Sequence, residues 1–192
     1  MNLKKITFGL ATLLLVAYYA CAFASDVDNG SSCQDRVGFF IASPNEVTMK
    51  SLVAEGGQEC WTIIGSSDTL LDRLNQSVSS GNSFSAKYLA DHLKDLDGGN
   101  LEDSLIALGD FSDHKMEQTL IFAHDGTLSD RSLSDVLTML SLSMSDEPLT
   151  QLKVLQARRE KIQRISRRDL SAQRLFALKS IDEFILEIKS KN

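Results

Sequence analysis

Three histidines, His92, His114 and His124, each stand beside an aspartate, in Asp91-His92, Asp113-His114 and His124-Asp125. Imidazole next to carboxylate is the pairing that acid–base catalysis and metal ligation both use. Either chemistry needs convergence, and no His-Glu-x-x-His or paired-helix carboxylate spacing brings the three together. The densest metal-like set is Asp110, Asp113, His114 and Glu117, because positions 110, 114 and 117 fall on one helical face. Gly109 and Ser112, however, suggest that a helix begins only after Asp110. Carboxylates at a helix start are favoured in any case by capping and by the positive end of the dipole. The run from Asp95 to Asp103, "DLDGGNLED", has the outline of a calcium loop. Placing Gly98 at the sixth position of such a loop puts Leu93 first and Ser104 twelfth, where the loop needs acidic oxygens. A helix stop followed by a helix start explains the same residues. No Gly-x-Ser-x-Gly, Ser-x-x-Lys or phosphate-cradling glycine loop occurs. The expectation is therefore a protein without catalytic residues, metal or cofactor.

Cysteine chemistry depends on compartment, and the N-terminus speaks to that. Lys4 and Lys5 precede an apolar run from Ile6 to Ala20, and Ala22-Phe23-Ala24 follows. This is the layout of a bacterial export signal, with cleavage expected between Ala24 and Ser25. Cleavage after Ala20-Cys21-Ala22 is the alternative. A lipid anchor on Cys21 would call for a branched aliphatic residue where Tyr18 stands. A retained membrane helix would need about 20 apolar residues, and the run has an Ala-x-Ala exit and no basic flank. Residues 1–24 are read as a cleaved leader and 25–192 as one domain, periplasmic or secreted. Cleavage leaves Cys33 and Cys60, which in an oxidising compartment form one disulfide. No Cys-x-x-Cys spacing supports a redox pair.

Charge is the remaining signal. The chain carries −6 formally, and loss of Lys4 and Lys5 makes it −8. That balance disfavours nucleic acid, whose binding runs on lysine and arginine. Lys153 to Arg174 holds eight bases, among them Arg158, Arg159, Arg164, Arg167 and Arg168, against Glu160 and Asp169. Ser85 to Asp130 holds ten acids, among them Asp91, Asp95, Asp97, Glu102 and Asp103, against three lysines. Such poles are either neighbouring helix faces or a field that steers a charged partner.

The elements that must position these groups read as helices. Ser43-Pro44-Asn45-Glu46 signals a helix start with Ser43 as cap, running to Glu55 and stopping at Gly56-Gly57. Val37 to Ala42 and Cys60 to Ile64 are short apolar runs open to strand or helix. Ser67 or Asp68 caps a helix to Val78, and another runs from Ser83 to Leu96. Leu101–Leu108, Asp113–Ala123 and Asp130–Leu140 follow as separate short helices, with a long segment from Pro148 to Lys189 bent near Arg168-Asp169. Leu89, Leu101 and Leu133 each open the pattern Leu-x-Asp-x-Leu-x-x-Leu. Its starts are unevenly spaced, which argues for amphipathic helices in one bundle over a solenoid. The fold expected is an all-α irregular multi-helix bundle, with a disulfide-tethered N-terminal segment and a long C-terminal helix or helical hairpin.

The function expected is a non-enzymatic binding protein that masks a basic toxin or cell-wall lytic enzyme, with the acidic pole as its working surface. The chain is similar to bacterial immunity proteins against peptidoglycan-cutting toxins in size, compartment and class alone; no motif carries residues over. The rivals are an envelope hydrolase or metal-dependent enzyme using the His/Asp pairs, and an adaptor gripping anionic surfaces through the basic C-terminal helix. Membrane contact is expected only through the leader, and nothing in the sequence sets the oligomeric state.

Overall fold

A computed structural model describes residues 32–144 and 146–191. Cys21, Ala22, Ala24 and Ser25, with the rest of the expected leader, lie outside the described residues. Both apolar runs left open by the sequence are helical. Helix α1 (Cys33–Ala42) starts on a reciprocal cap: Asp35 N–H donates to Ser32 Oγ, and Ser32 N–H donates to the Asp35 carboxylate. It buries Val37 and Phe40, one turn apart. Helix α2 (Glu46–Gly65) is capped by Asn45, two residues later than the Ser43 cap expected. The Asn45 side chain accepts both Val47 N–H and Thr48 N–H, whereas Ser43 closes the end of α1 through its N–H to Phe39 O. The expected stop at Gly56-Gly57 is instead a kink within α2, where Gly57 alone is non-helical (φ 20°, ψ −104°). The disulfide Cys33–Cys60 joins α1 to the second half of α2, with Cα atoms 5.2 Å apart.

Helix α3 (Asp68–Ser79) is capped by Ser67 and α4 (Ser83–His92) by Asn82; one 3-10 turn, Leu93–Asp95, follows α4. Gly98, at φ 51°, then turns the chain into α5 (Gly98–His124). The sequence places two helices here, broken at Gly109–Ser112. The structure has one of 27 residues, kinked at Lys115 (φ −135°, ψ 47°). Gly109 is a contact point and not a break: a Cβ there would lie 3.0 Å from Arg158 Nη2 and 3.1 Å from the Val136 carbonyl. Helix α6 (Asp130–Thr138) is capped by Ser129. Helices α7 (Pro148–Arg164) and α8 (Ser171–Lys191) form an antiparallel hairpin through a 3-10 turn at Arg168–Leu170. Arg159 meets Asp182, and Arg174 Nε–H donates to Ile162 O, which sets that register. No strand occurs among the described residues, and none of their helices is long and apolar enough to cross a membrane.

Helix α5 is the spine, touching α3, α4, α6, α7 and α8. Its first half serves an apolar core built mainly with α1–α4, including Phe40, Leu52, Trp61, Leu74, Tyr88 and Leu108, which Phe122 and the α6 residue Val136 also join. Its second half serves another core with α6–α8, including Leu120, Leu133, Leu137, Leu155, Ile162 and Ile181. The leucines of the recurring pattern face these cores, while Asp91 and Asp103 face solvent. Each fully buried leucine or isoleucine contributes about 1.5–3 kcal/mol of apolar transfer. The bundle rests on that burial more than on its surface charge pairs.

Candidate functional site

The acidic pole is positioned by three consecutive elements. Asn82 Oδ1 accepts Phe84 N–H and Ser85 N–H, each at 3.0 Å, and so starts α4. With Ser85, Ala86, Tyr88, Leu89 and Ala90 buried, the acid of that helix, Asp91, is turned outward. The 3-10 turn brings Asp95 to the surface, and Asp97 occupies the N-cap position of α5. The Asp97 carboxylate makes no capping hydrogen bond, so its charge faces water at the positive end of a long helix. Glu102 and Asp103 follow in the first turns. All five residues are exposed, and the structure gathers them along one short path of chain.

Two of the five are matched locally. Lys87 Nζ lies 3.4 Å from Asp91 and also donates to Thr127 Oγ1. His92 Nδ1 lies 3.1 Å from Asp95, and the same imidazole stacks on Trp61, with ring centroids 4.5 Å apart and planes within 8°. Among the described residues, no ion pair reaches Asp97, Glu102, Asp103 or Asp110. Further along α5 the situation reverses. Asp113 receives Arg158 at 3.0 Å and Lys161 at 3.2 Å, and Glu117 receives Arg167 at 3.5 Å. The basic hairpin thus neutralises the far half of the acidic α5 and leaves the near half uncovered.

The basic pole differs from its expected form. Arg158 is 2% exposed and belongs to no surface, a correction to its grouping with the solvent-facing arginines. Its Nε–H and Nη2–H groups donate to Asp113, and Nη1–H groups donate to the carbonyls of Leu137 at 2.9 Å and Met139 at 3.2 Å. Those carbonyls close the C-terminal end of α6, where helical partners run out. Arg159 pairs with Asp182 at 2.7 Å, and that carboxylate keeps the guanidinium more firmly protonated. Arg164 pairs with Glu160 one turn back. Arg167 bonds Asp169 as well as Glu117, and the Arg167 hydrogen bond holds the Asp169 carboxyl below its ordinary range, against a smaller opposing effect of burial. Arg168 is exposed and, among the described residues, has no ion pair.

The histidines do not share a site. His92 is held between Trp61, Tyr88 and Asp95. His114 sits near Gly81 and lines a shallow depression of about 300 Å³ at the α5 kink. His124 ends α5, ten residues on. The set Asp110, Asp113, His114 and Glu117 is taken apart twice: the Lys115 kink breaks its helical register, and arginines and a lysine occupy Asp113 and Glu117. Among the described residues, no three His, Cys, Asp or Glu side chains converge as metal ligands would. What sequence reasoning missed is the Trp61–His92–Tyr88 ring cluster bordering the acids, and the buried role of Arg158. An arginine in a basic run gives no local sign of burial; Tyr88 and His92 are one helical turn apart, but Trp61 comes from a distant helix.

No protein-family model, curated protein or solved structure matches this chain.

Proposed function

We propose that this chain is a non-enzymatic exported binding protein, and that its acidic face masks a basic protein partner such as a toxin or cell-wall lytic enzyme. The face comprises Asp91, Asp95, Asp97, Glu102 and Asp103. The observation that carries the reading is the unequal treatment of the two charge poles. Among the described residues, Arg158, Arg159, Arg164 and Arg167 are engaged by the chain's own carboxylates and of the five arginines Arg168 alone has no ion pair, while no ion pair reaches Asp97, Glu102, Asp103 or Asp110. Exposed charges of one sign, unopposed on their own molecule, raise encounter rates with an oppositely charged partner and set its orientation. The Arg158, Lys161 and Arg167 contacts on Asp113 and Glu117 are an internal example of basic side chains docking on this helix.

The test is capture from periplasmic extract with immobilised protein, at about 50 mM and about 500 mM salt, which brackets strong and weak screening. A basic protein retained at low salt and released at high salt is the expected result. Recovery of no salt-sensitive partner removes the main support for the reading.

A further inference from the structure

We propose that residues 33–56, α1 with the first half of α2, form a redox-released arm. The Cys33–Cys60 disulfide locks the arm on the bundle, Gly57 is its hinge, and reduction by a dithiol frees it while α5–α8 stay folded.

The arm is thinly attached. Its fully buried apolar side chains are Val37, Phe40 and Leu52, with Ile41 and Met49 partly buried against the same core, and it turns Phe39, Val47 and Val53 outward. At its corner, the Asn82 side chain ties it to the bundle by donating Nδ2–H to Pro44 O at 3.1 Å. Helix α1 has ten residues, fewer than an isolated helix needs to persist in water. Beyond Gly57 the same α2 is anchored firmly, by Cys60, Trp61 and Ile64. The chain therefore changes from loosely to tightly held at the one residue of α2 whose backbone leaves the helix.

Lock and hinge are built against each other. A Cβ on Gly56 would lie 2.7 Å from Cys33 Sγ and nearer still to Cys60 Sγ, so the sulfurs rest directly on bare backbone beside the hinge. The bridge closes a separation of 27 residues spanning the whole arm. None of the arm's residues belongs to the core formed by Leu120, Leu133, Leu155, Ile162 and Ile181, which has no part in the disulfide.

The chemistry is thiol–disulfide exchange. Cys33 is partly accessible and Cys60 fully buried, so a thiolate of the dithiol attacks Cys33 Sγ. A mixed disulfide forms, and Cys60 leaves as a thiolate that takes up a proton. The second thiol of the reductant then attacks its own sulfur of the mixed disulfide, releasing Cys33. Two electrons and two protons pass from the dithiol, which becomes a disulfide, to the two cysteines. Departure of the arm separates Phe40 from Tyr88, now 5.1 Å apart between ring centroids, and so opens the apolar core in which Trp61 packs edge-on against Tyr88.

Hydrogen-exchange mass spectrometry of the purified chain before and after treatment with a small dithiol tests this, with thiol titration confirming reduction. Trp61, the only tryptophan, reports opening by its emission. Exchange within 33–56 is expected to accelerate about 400-fold, the factor that loop closure of this length supplies. Protection across 98–191 should be retained, and Trp61 emission should shift to the red. The Cys33→Ser/Cys60→Ser variant should behave as the reduced protein does. Unchanged protection in 33–56 after reduction, acceleration across the whole chain, or a bridge that resists the dithiol under native conditions would each overturn the proposal.

Discussion

The Arg158 guanidinium holds three helices together from inside the bundle, joining α7 to Asp113 on α5 and to the last carbonyls of α6. Removing one partner of a buried pair leaves the other uncompensated and costs about 3–5 kcal/mol. Asp113 keeps some contact with water, so the lower end applies. Arg158→Met is expected to destabilise by about 3 kcal/mol in urea unfolding, and Arg158→Lys to rescue only part, since an ammonium cannot reach carboxylate and carbonyls together. Tyr88 makes the opposite case. It is 1% exposed, and among the described residues its hydroxyl has no hydrogen-bond partner. Tyr88→Phe is expected to stabilise the protein by about 1 kcal/mol, the desolvation cost of an unpaired hydroxyl. Burial also raises the Tyr88 phenol well above its ordinary value. The neutral phenol is thus favoured by folding; stability is intact below the unfolded-state value near 10 and falls as pH rises beyond it. Unfolding midpoints measured across that alkaline range should fall in the wild type and fall less in Tyr88→Phe.

At the scale of elements, much of the helix plan is legible because capping is local chemistry. Ser67 and Asp130 mark real starts, and the C-terminal segment bends where Arg168-Asp169 suggests. Failures occur where a distant neighbour decides. Gly109 and Ser112 resemble a break, yet Gly109 is glycine so that Arg158 and Val136 O can approach, and Ser112 Oγ–H donates to the Gly109 carbonyl within an unbroken turn. Gly56-Gly57 resembles a stop, yet the chain only kinks there, at Gly57, and Gly56 is glycine where the Cys33 and Cys60 sulfurs pack against its backbone. Asn82 combines local and distant roles, capping α4 with Oδ1 and donating to Pro44 O with Nδ2. Asn82→Asp should keep the cap and lose the donor, while Asn82→Ala loses both. The expected thermal-unfolding order is wild type, then Asp, then Ala, the Ala variant losing about 1–2 kcal/mol. Equal loss in both variants would assign the whole effect to the Pro44 bond.

For the whole molecule, charge segregation is visible in the sequence and its disposition is not. Composition separates a +6 segment from a −7 segment, but only packing decides which pole the chain consumes internally. Folding the α7–α8 hairpin onto α5 buries Arg158 and engages Lys161 and Arg167, and among the described residues it leaves the acids in the first turns of α5 without an ion pair. Equilibrium binding of the captured basic partner, at about 50 mM salt where screening is weak, tests this disposition most directly. Asp97→Asn/Glu102→Gln/Asp103→Asn should weaken binding at least about tenfold through loss of steering and complementarity, while Arg164→Gln/Arg168→Gln leaves it unchanged. Unaltered affinity in the acid-neutralised variant, with loss in the arginine variant, would contradict the assignment of the acidic face as the working surface.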